Sequence, residues 1–356
     1  MTIVYTINGE GMGHASRSSV VIEHLRAAGH RIIIVSSGER PLQFLRERFG
    51  HVHAVQGLHM VYRDNSVRRA RTAAAMFKNA GAITREIGEL SRDLKDEPID
   101  AVISDFDFRG YLIARKRKVP LISIDNIQYL RFASLRVPAK EGFNFRINLA
   151  VASFMVPRAR YWFITTFDPE PKMRSKTPAG KVFLVPPLLR SRILSTRPTR
   201  GPHILVYQTS GSNQELMPVL QRRSEKFIVY NSPVRIVSDH ITVKPFDEET
   251  FINDLASSRA VITNGGFNVI TEALYFKKPV LSVPVGNHYE QQLNALLLHE
   301  RNLGMMSVRV TNQQIDELLR RASAFERAAG RLQFGNTPCF TALDGIVESI
   351  VSIRGR

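Results

Sequence analysis

A chain of 356 residues, 44% of them apolar, has material for about two domains, and its single cysteine, Cys339, excludes an internal disulfide framework. Lys and Arg outnumber Asp and Glu by 49 to 32, and the net charge of +17 calls for an anionic partner: nucleic acid, an anionic membrane surface or an anionic substrate. Nucleic acid is set aside, because no helix-turn-helix, zinc-finger or RNP signature is present and the aromatic residues do not interleave with the basic ones.

Residues 3–7 are a short apolar run, read as a first buried strand, with no basic leader or long apolar stretch that would make a signal peptide. With one cysteine and no apolar run of the ~20 residues a spanning helix needs, a reducing cytoplasm is the expected compartment. The turn Asn8-Gly9-Glu10-Gly11-Met12-Gly13-His14 follows, then a helix over residues 15–28 that ends at Gly29. Three glycines here have the look of a dinucleotide fingerprint, but His14 stands where its third glycine belongs. The next strand, residues 31–36, also lacks an acidic residue at its end to hold an adenosine ribose. A dehydrogenase is therefore a poor fit. An imidazole, with an ordinary pKa near ~6.5, suits a general base; the lesser alternative is a capping or satisfied histidine at a helix start.

Strands and helices continue to alternate. Residues 100–104 form an apolar strand with Asp105-Phe106-Asp107 at its carboxyl edge, and residues 121–125 form another that leads into Asn126-Ile127-Gln128-Tyr129. Basic clusters occur at Arg68-Arg69-Ala70-Arg71 and Arg115-Lys116-Arg117-Lys118. The apolar run 147–156, flanked by Arg146 and by Pro157-Arg158-Ala159-Arg160, suits a buried helix or one lying on a membrane surface, the inner face being the side consistent with a cytoplasmic protein. Residues 187–202, rich in Pro, Arg and Ser, read as a linker after a first domain of residues 1–186.

The second domain, residues 203–335, opens on a strand and a second glycine turn, Thr209-Ser210-Gly211-Ser212-Asn213. Its most informative stretch is 260–295. An apolar strand (260–263) meets Asn264-Gly265-Gly266, a helix over residues 267–276 follows, Pro279 ends it, and residues 280–283 return as a strand. Glycines at a helix start let a ligand approach the backbone, and the helix dipole there favours an anion such as phosphate, by about 0.3–1 kcal/mol. Glu272 and Glu290-Gln291 lie just beyond and would accept hydrogen bonds from sugar hydroxyls, roughly 1.5–3 kcal/mol each when charge-assisted. Phosphate donors beside hydroxyl acceptors fit a nucleotide joined to a sugar; a plain strand–helix–strand unit with a solvated glutamate fits the same residues. Residues 336–356 read as a closing helix, with room to cross back to the first domain.

Taken together, Gly266, Asn268, Glu272, Pro279, Pro284, Glu290-Gln291 and Asn294-Ala295 resemble the donor-site signature of inverting glycosyltransferases of GT-B fold, the UDP-glycosyltransferase and lipid II-forming N-acetylglucosaminyltransferase group. Departures are Asn264 where plant members carry a phosphate-binding histidine, Val269 where they carry serine, and Lys277 in place of a helix-ending glycine. The resemblance implies an α/β architecture of two doubly wound, Rossmann-like domains facing across a cleft. The first domain would bind an acceptor bearing a hydroxyl, and the second a nucleotide-sugar, UDP-linked in the family, with no cofactor and no metal. His14 would be the general base and Asp105 its partner. Gly11, Gly13, Asn264, Gly265, Gly266, Asn268, Thr271 and the Ser210, Gly211 and Ser212 turn would serve the diphosphate side of the donor. Glu272 would take the ribose, Glu290, Gln291 and Asn294 the donor sugar, and Phe246 the nucleobase. Asp105-Phe106-Asp107 also has the form of a divalent-cation pair, a reading the GT-B resemblance disfavours. Two rivals stay open: a non-hydrolysing nucleotide-sugar epimerase of the same fold, and a non-catalytic basic protein that binds lipid or nucleic acid.

Overall fold

The computed structural model describes residues 1–57, 62–63, 66–67, 81, 83, 85–135, 142–175, 177–208, 215–232 and 238–354. Two parallel sheets organise them. The first runs His53–Ala54, Arg31–Ser36, Thr2–Ile7, Ile99–Asp105, Leu121–Asp125, Tyr161–Thr165, Val182–Val185. The second runs Ile241–Lys244, Lys226–Tyr230, His203–Tyr207, Ala260–Thr263, Val280–Ser282, Met305–Met306. Helices lie between most successive strands of each, so the architecture is α/β with two Rossmann-like domains, as the strand–turn–helix pattern predicts.

Thr2–Ile7 is buried along its whole length, and its apolar residues divide between two cores. Ile3, Tyr5 and Ile7 join Val21, Ile22 and Leu25 of the helix Met12–Ala27, whereas Val4 faces Val102, Ile113 and Leu130 on the other side. A strand covered on both faces is apolar at most positions, and each such side chain contributes about 1.5–3 kcal/mol by leaving water. The core behind Val4 continues into the second domain, where the rings of Phe167 and Phe267 lie 5.8 Å apart. The last helix, Thr337–Arg354, packs Cys339, Leu343, Val347 and Ile350 into the first domain's outer core. His24 Nε2 meets Asp344 Oδ1 at 2.8 Å and the His24 ring stacks on Phe340 there.

The order of the strands decides where a ligand sits. In each sheet the chain winds outward in one direction and then in the other, leaving a crevice at the carboxyl ends where the direction reverses. In the first sheet the reversal lies between Thr2–Ile7 and Ile99–Asp105; in the second it lies between His203–Tyr207 and Ala260–Thr263. The Gly11–Gly13 turn and Asp105 occupy the first crevice, and Gly265-Gly266 borders the second. The helix after the first strand begins at Met12, not at residue 15, because Gly11 takes φ +78° and turns the chain straight into it. His14 therefore sits in the first turn, with Arg17 one turn on along the same face.

Helix Gly142–Met155 turns Asn148, Ala152 and Met155 inward and leaves Phe143 and Phe154 exposed. No helix among the described residues is long and apolar enough to cross a membrane.

Candidate active site

His14 is buried, and its Nδ1 lies 2.7 Å from Asp105 Oδ1, a residue 91 positions away that the parallel pairing of Thr2–Ile7 with Ile99–Asp105 brings alongside. Asp105 also accepts from Arg17 Nε and Nη2 at 3.0 and 2.5 Å and from Ser18 Oγ at 3.0 Å. Burial pushes the Asp105 carboxyl up, but Arg17 and His14 outweigh it and hold the group below the usual carboxylate range. An ionised carboxylate at 2.7 Å requires a proton on Nδ1, which leaves Nε2 as the ring nitrogen with a lone pair for the cleft. Burial pulls the His14 imidazole down, yet the charge and hydrogen bond of Asp105 outweigh it and set the ring above its ordinary value. Asp105 and Asp107 do separate work. Asp107 caps the helix Phe108–Arg117 through the Arg109 amide and pairs with the Arg109 guanidinium.

The second domain supplies the opposite wall. Gly265 has φ +93°, and a Cβ there would meet Gln291 O and Ser282 Oγ at 2.8 Å, so this turn requires glycine. Gly266 has φ −60° and nothing within 4 Å of an added Cβ: its face is open. Helix Phe267–Tyr275 starts there with no side-chain cap, and the helix Met12–Ala27 likewise starts at Gly11 without one. The two helix starts are neighbours, since Asn268 Nδ2 donates to Gly13 O at 3.1 Å. Two positive dipole ends thus converge on one cavity, which suits an anion.

That cavity is lined from the first domain by Gly11, Gly13, His14 and Arg17, and from the second by Phe246, Gly266, Asn268, Glu272, Glu290 and Gln291. Glu272 is buried and paired with Arg190 Nη2 at 2.6 Å, while Arg190 Nη1 holds Glu248 at 2.7 Å. Phe246 edges the cavity beside Tyr207 and Phe251, with ring centroids 6.3 and 5.4 Å away. Four expected donor contacts fall elsewhere. Asn264, Gly265, Thr271 and Asn294 lie behind the turn, not on the cavity wall. Asn264 Nδ2 donates to Val283 O, Thr271 Oγ1 to Asn268 O and Asn294 Nδ2 to Gly265 O. Burial explains the difference for Asn264 and Asn294, whose amides satisfy buried backbone carbonyls, while Thr271 bonds a carbonyl one turn back in its own helix. Ser210, Gly211 and Ser212, like Arg68, Arg69 and Arg71, lie outside the described residues.

Known proteins share this fold. A family model described as glycosyl transferase family 1 matches residues 1–323. The chain belongs to that family. A glycosyltransferase of Methanosarcina acetivorans is 26% identical over 366 residues, covering 94% of this chain and 93% of its own. Among solved structures, a UDP-glucosyltransferase from Polygonum tinctorium superposes with a TM-score of 0.69 at 15% identity over 98% of both chains. Phytolacca americana UGT2, in complex with UDP-2fluoro-glucose and pterostilbene, gives 0.61 at 16% identity, covering 93% of this chain and 92% of its own.

Several residues that build this glycosyltransferase's cleft are not evident from its sequence motifs: Arg17, Asn126, Arg190, Tyr207 and His288. Arg17 had one signal, its three-residue spacing from His14. Asn126 and Arg190 had none, being single polar residues in a loop and a linker. His288 lines the cleft next to the Glu290 turn, and burial lowers its imidazole below the ordinary value.

Proposed function

We propose that this glycosyltransferase moves a sugar from a UDP-linked donor to an acceptor hydroxyl with inversion at the anomeric carbon. The observation that carries the reading is the meeting of His14, backed by Asp105, with the uncapped helix start at Gly266 across one cavity. His14 Nε2 takes the acceptor proton as its oxygen attacks the anomeric carbon. The sugar–phosphate bond breaks on the opposite face, and a single displacement inverts the configuration. The proton passes to the imidazole, whose charge Asp105 balances. Negative charge accumulating on the departing diphosphate is met by the backbone at Gly266, by Asn268 and by the helix dipole.

Glu272, held by Arg190, accepts from the ribose hydroxyls, and Phe246 with Tyr207 offers the nucleobase an aromatic wall. Glu290 and Gln291 face the donor sugar. The UDP-2fluoro-glucose of the Phytolacca americana structure supports a uridine donor here. The scheme calls on no metal ion. Phe143 and Phe154, exposed on a helix that also presents Arg146, support an acceptor of lipid character or an anionic membrane surface as its source. Thermal-shift measurements across nucleotides test the donor: UDP should raise the melting temperature more than ADP or GDP. Product analysis tests the reaction. Free UDP plus a glycoside is expected, whereas an epimerised nucleotide-sugar with no UDP released would replace this reading with the epimerase.

A further inference from the structure

Arg17 is 2% exposed, and an interior guanidinium is costly unless its donors are used. Here they are used on two sides. Nε and Nη2 grip both oxygens of Asp105, while Nη1 donates to Asn126 Oδ1 at 2.9 Å. Arginine has no acceptor, so the atom Asn126 turns toward it must be the amide oxygen. That choice points the Asn126 NH2 the other way, across the cleft, where it donates to Glu290 Oε1 at 3.1 Å. One side chain of the first helix thereby orders a carboxylate of each domain, 185 residues apart in sequence (105 to 290).

We infer that Arg17 is a positioning residue for sugar transfer: one edge holds Asp105 behind His14, and the other, through the Asn126 amide, aims Glu290 at the donor sugar. The inference rests on the donor-and-base reading above. It assigns two separable tasks to one group. The first is electrostatic. Arg17 Nη2 lies 3.1 Å from His14 Nδ1 and shares Asp105 with it, so its charge offsets part of the pull of Asp105 on the imidazole. Other groups facing this cluster are Tyr5 from the central strand, Ser18 from the same helix, Asp125 from the neighbouring strand, and His288 and Glu290 from the second domain. The second task is geometric and needs the forked shape, which lysine lacks.

Three variants separate the tasks. The His14 ring is titrated by ¹H–¹⁵N NMR in the ligand-free protein, and affinities for UDP and UDP-glucose are measured by calorimetry. Arg17→Met should raise the His14 midpoint by about one pH unit, since Asp105 then acts on the ring unopposed. Arg17→Lys keeps the charge, so the midpoint should stay near wild type. The fork is lost, so the preference for UDP-glucose over UDP should fall about tenfold, the usual loss when a supporting hydrogen bond is removed. Asn126→Ala should reproduce that tenfold fall with an unchanged His14 midpoint. A midpoint that stays put in Arg17→Met overturns the electrostatic task. Should that variant fail to fold, wild-type sugar preference in both Arg17→Lys and Asn126→Ala overturns the positioning role. A wild-type protein that binds neither UDP nor UDP-glucose would count against the donor reading itself, while the ligand-free titration still decides the effect of Arg17 on His14.

Discussion

In the proposed mechanism His14 must be neutral on one nitrogen, and its neighbours set the pH at which that holds. Because Asp105 outweighs burial and raises the imidazole, the base is lost on the acid side at a pH above the ordinary histidine value of ~6.5. The acid limb of the kcat/KM profile should fall there, and in Asp105→Asn it should move to lower pH as the attraction disappears. The same shift makes charged His14 stabilise the fold, a contribution present below the ordinary histidine value and lost as pH rises through the raised one. His14→Ala should lower turnover by about 10²–10⁴-fold with UDP affinity nearly kept. Glu272→Ala should instead weaken UDP binding. It removes the proposed acceptor of the ribose hydroxyls and leaves the buried Arg190 with Glu248 as its remaining carboxylate. Calorimetry with UDP on both proteins checks the division: an equal loss of affinity in each would contradict it.

The glycine turn behind helix Phe267–Tyr275 is one element with two requirements. Gly265 is there because the fold has no room and the backbone is left-handed; Gly266 faces open space, which the proposed mechanism gives to the diphosphate. Gly265→Ala should therefore destabilise the protein by a few kcal/mol, seen as an earlier urea midpoint. Gly266→Ala should leave the midpoint unchanged and weaken UDP binding by tenfold or more, because its added methyl points into open space that the diphosphate would fill. At the other end of the same helix, Lys277 takes φ +56° while its amide donates to Leu274 O and that of Lys278 donates to Ala273 O. This left-handed stop is the one glycine ordinarily makes. Lys277→Gly relieves the strain at some cost in chain entropy and should stabilise by up to about 1 kcal/mol. A lower urea midpoint in that variant would contradict this account.

At the scale of the whole molecule, the two domains meet through specific polar contacts as well as packing. Asn268 reaches Gly13, Asn126 reaches Glu290, and Arg301 forks Asp168, which also accepts from the Tyr129 hydroxyl and the Glu170 amide. The last helix closes over the outer face of the first sheet and buries Cys339, where burial pushes the thiol up to about 12. That thiol should resist a disulfide reagent at pH 8 in the folded protein and react only as the helix lifts away or the domain unfolds. Rapid labelling under native conditions would show that the helix is not held as described.

The sequence by itself determined the strand–glycine–helix rhythm, the glycine turns that border the two crevices and the family-like stretch from Gly266 to Gln291, because apolar period, glycine and helix stops are local properties of neighbouring residues. His14 and Asp105 were legible as chemistry at strand ends. Tertiary structure alone decided which side chains share an atom. Asp105 meets Arg17 across 88 residues, Asn126 meets Glu290 across 164, and Arg190 meets Glu272 across 82. Such pairs depend on strand order and register, which place remote residues at one crevice, and no local pattern of spacing encodes that order. The same cause turned Asn264 and Asn294 to the support behind the cavity wall, for a polar side chain's direction is set by the carbonyls packed around it, while Thr271 bonds the Asn268 carbonyl of its own helix.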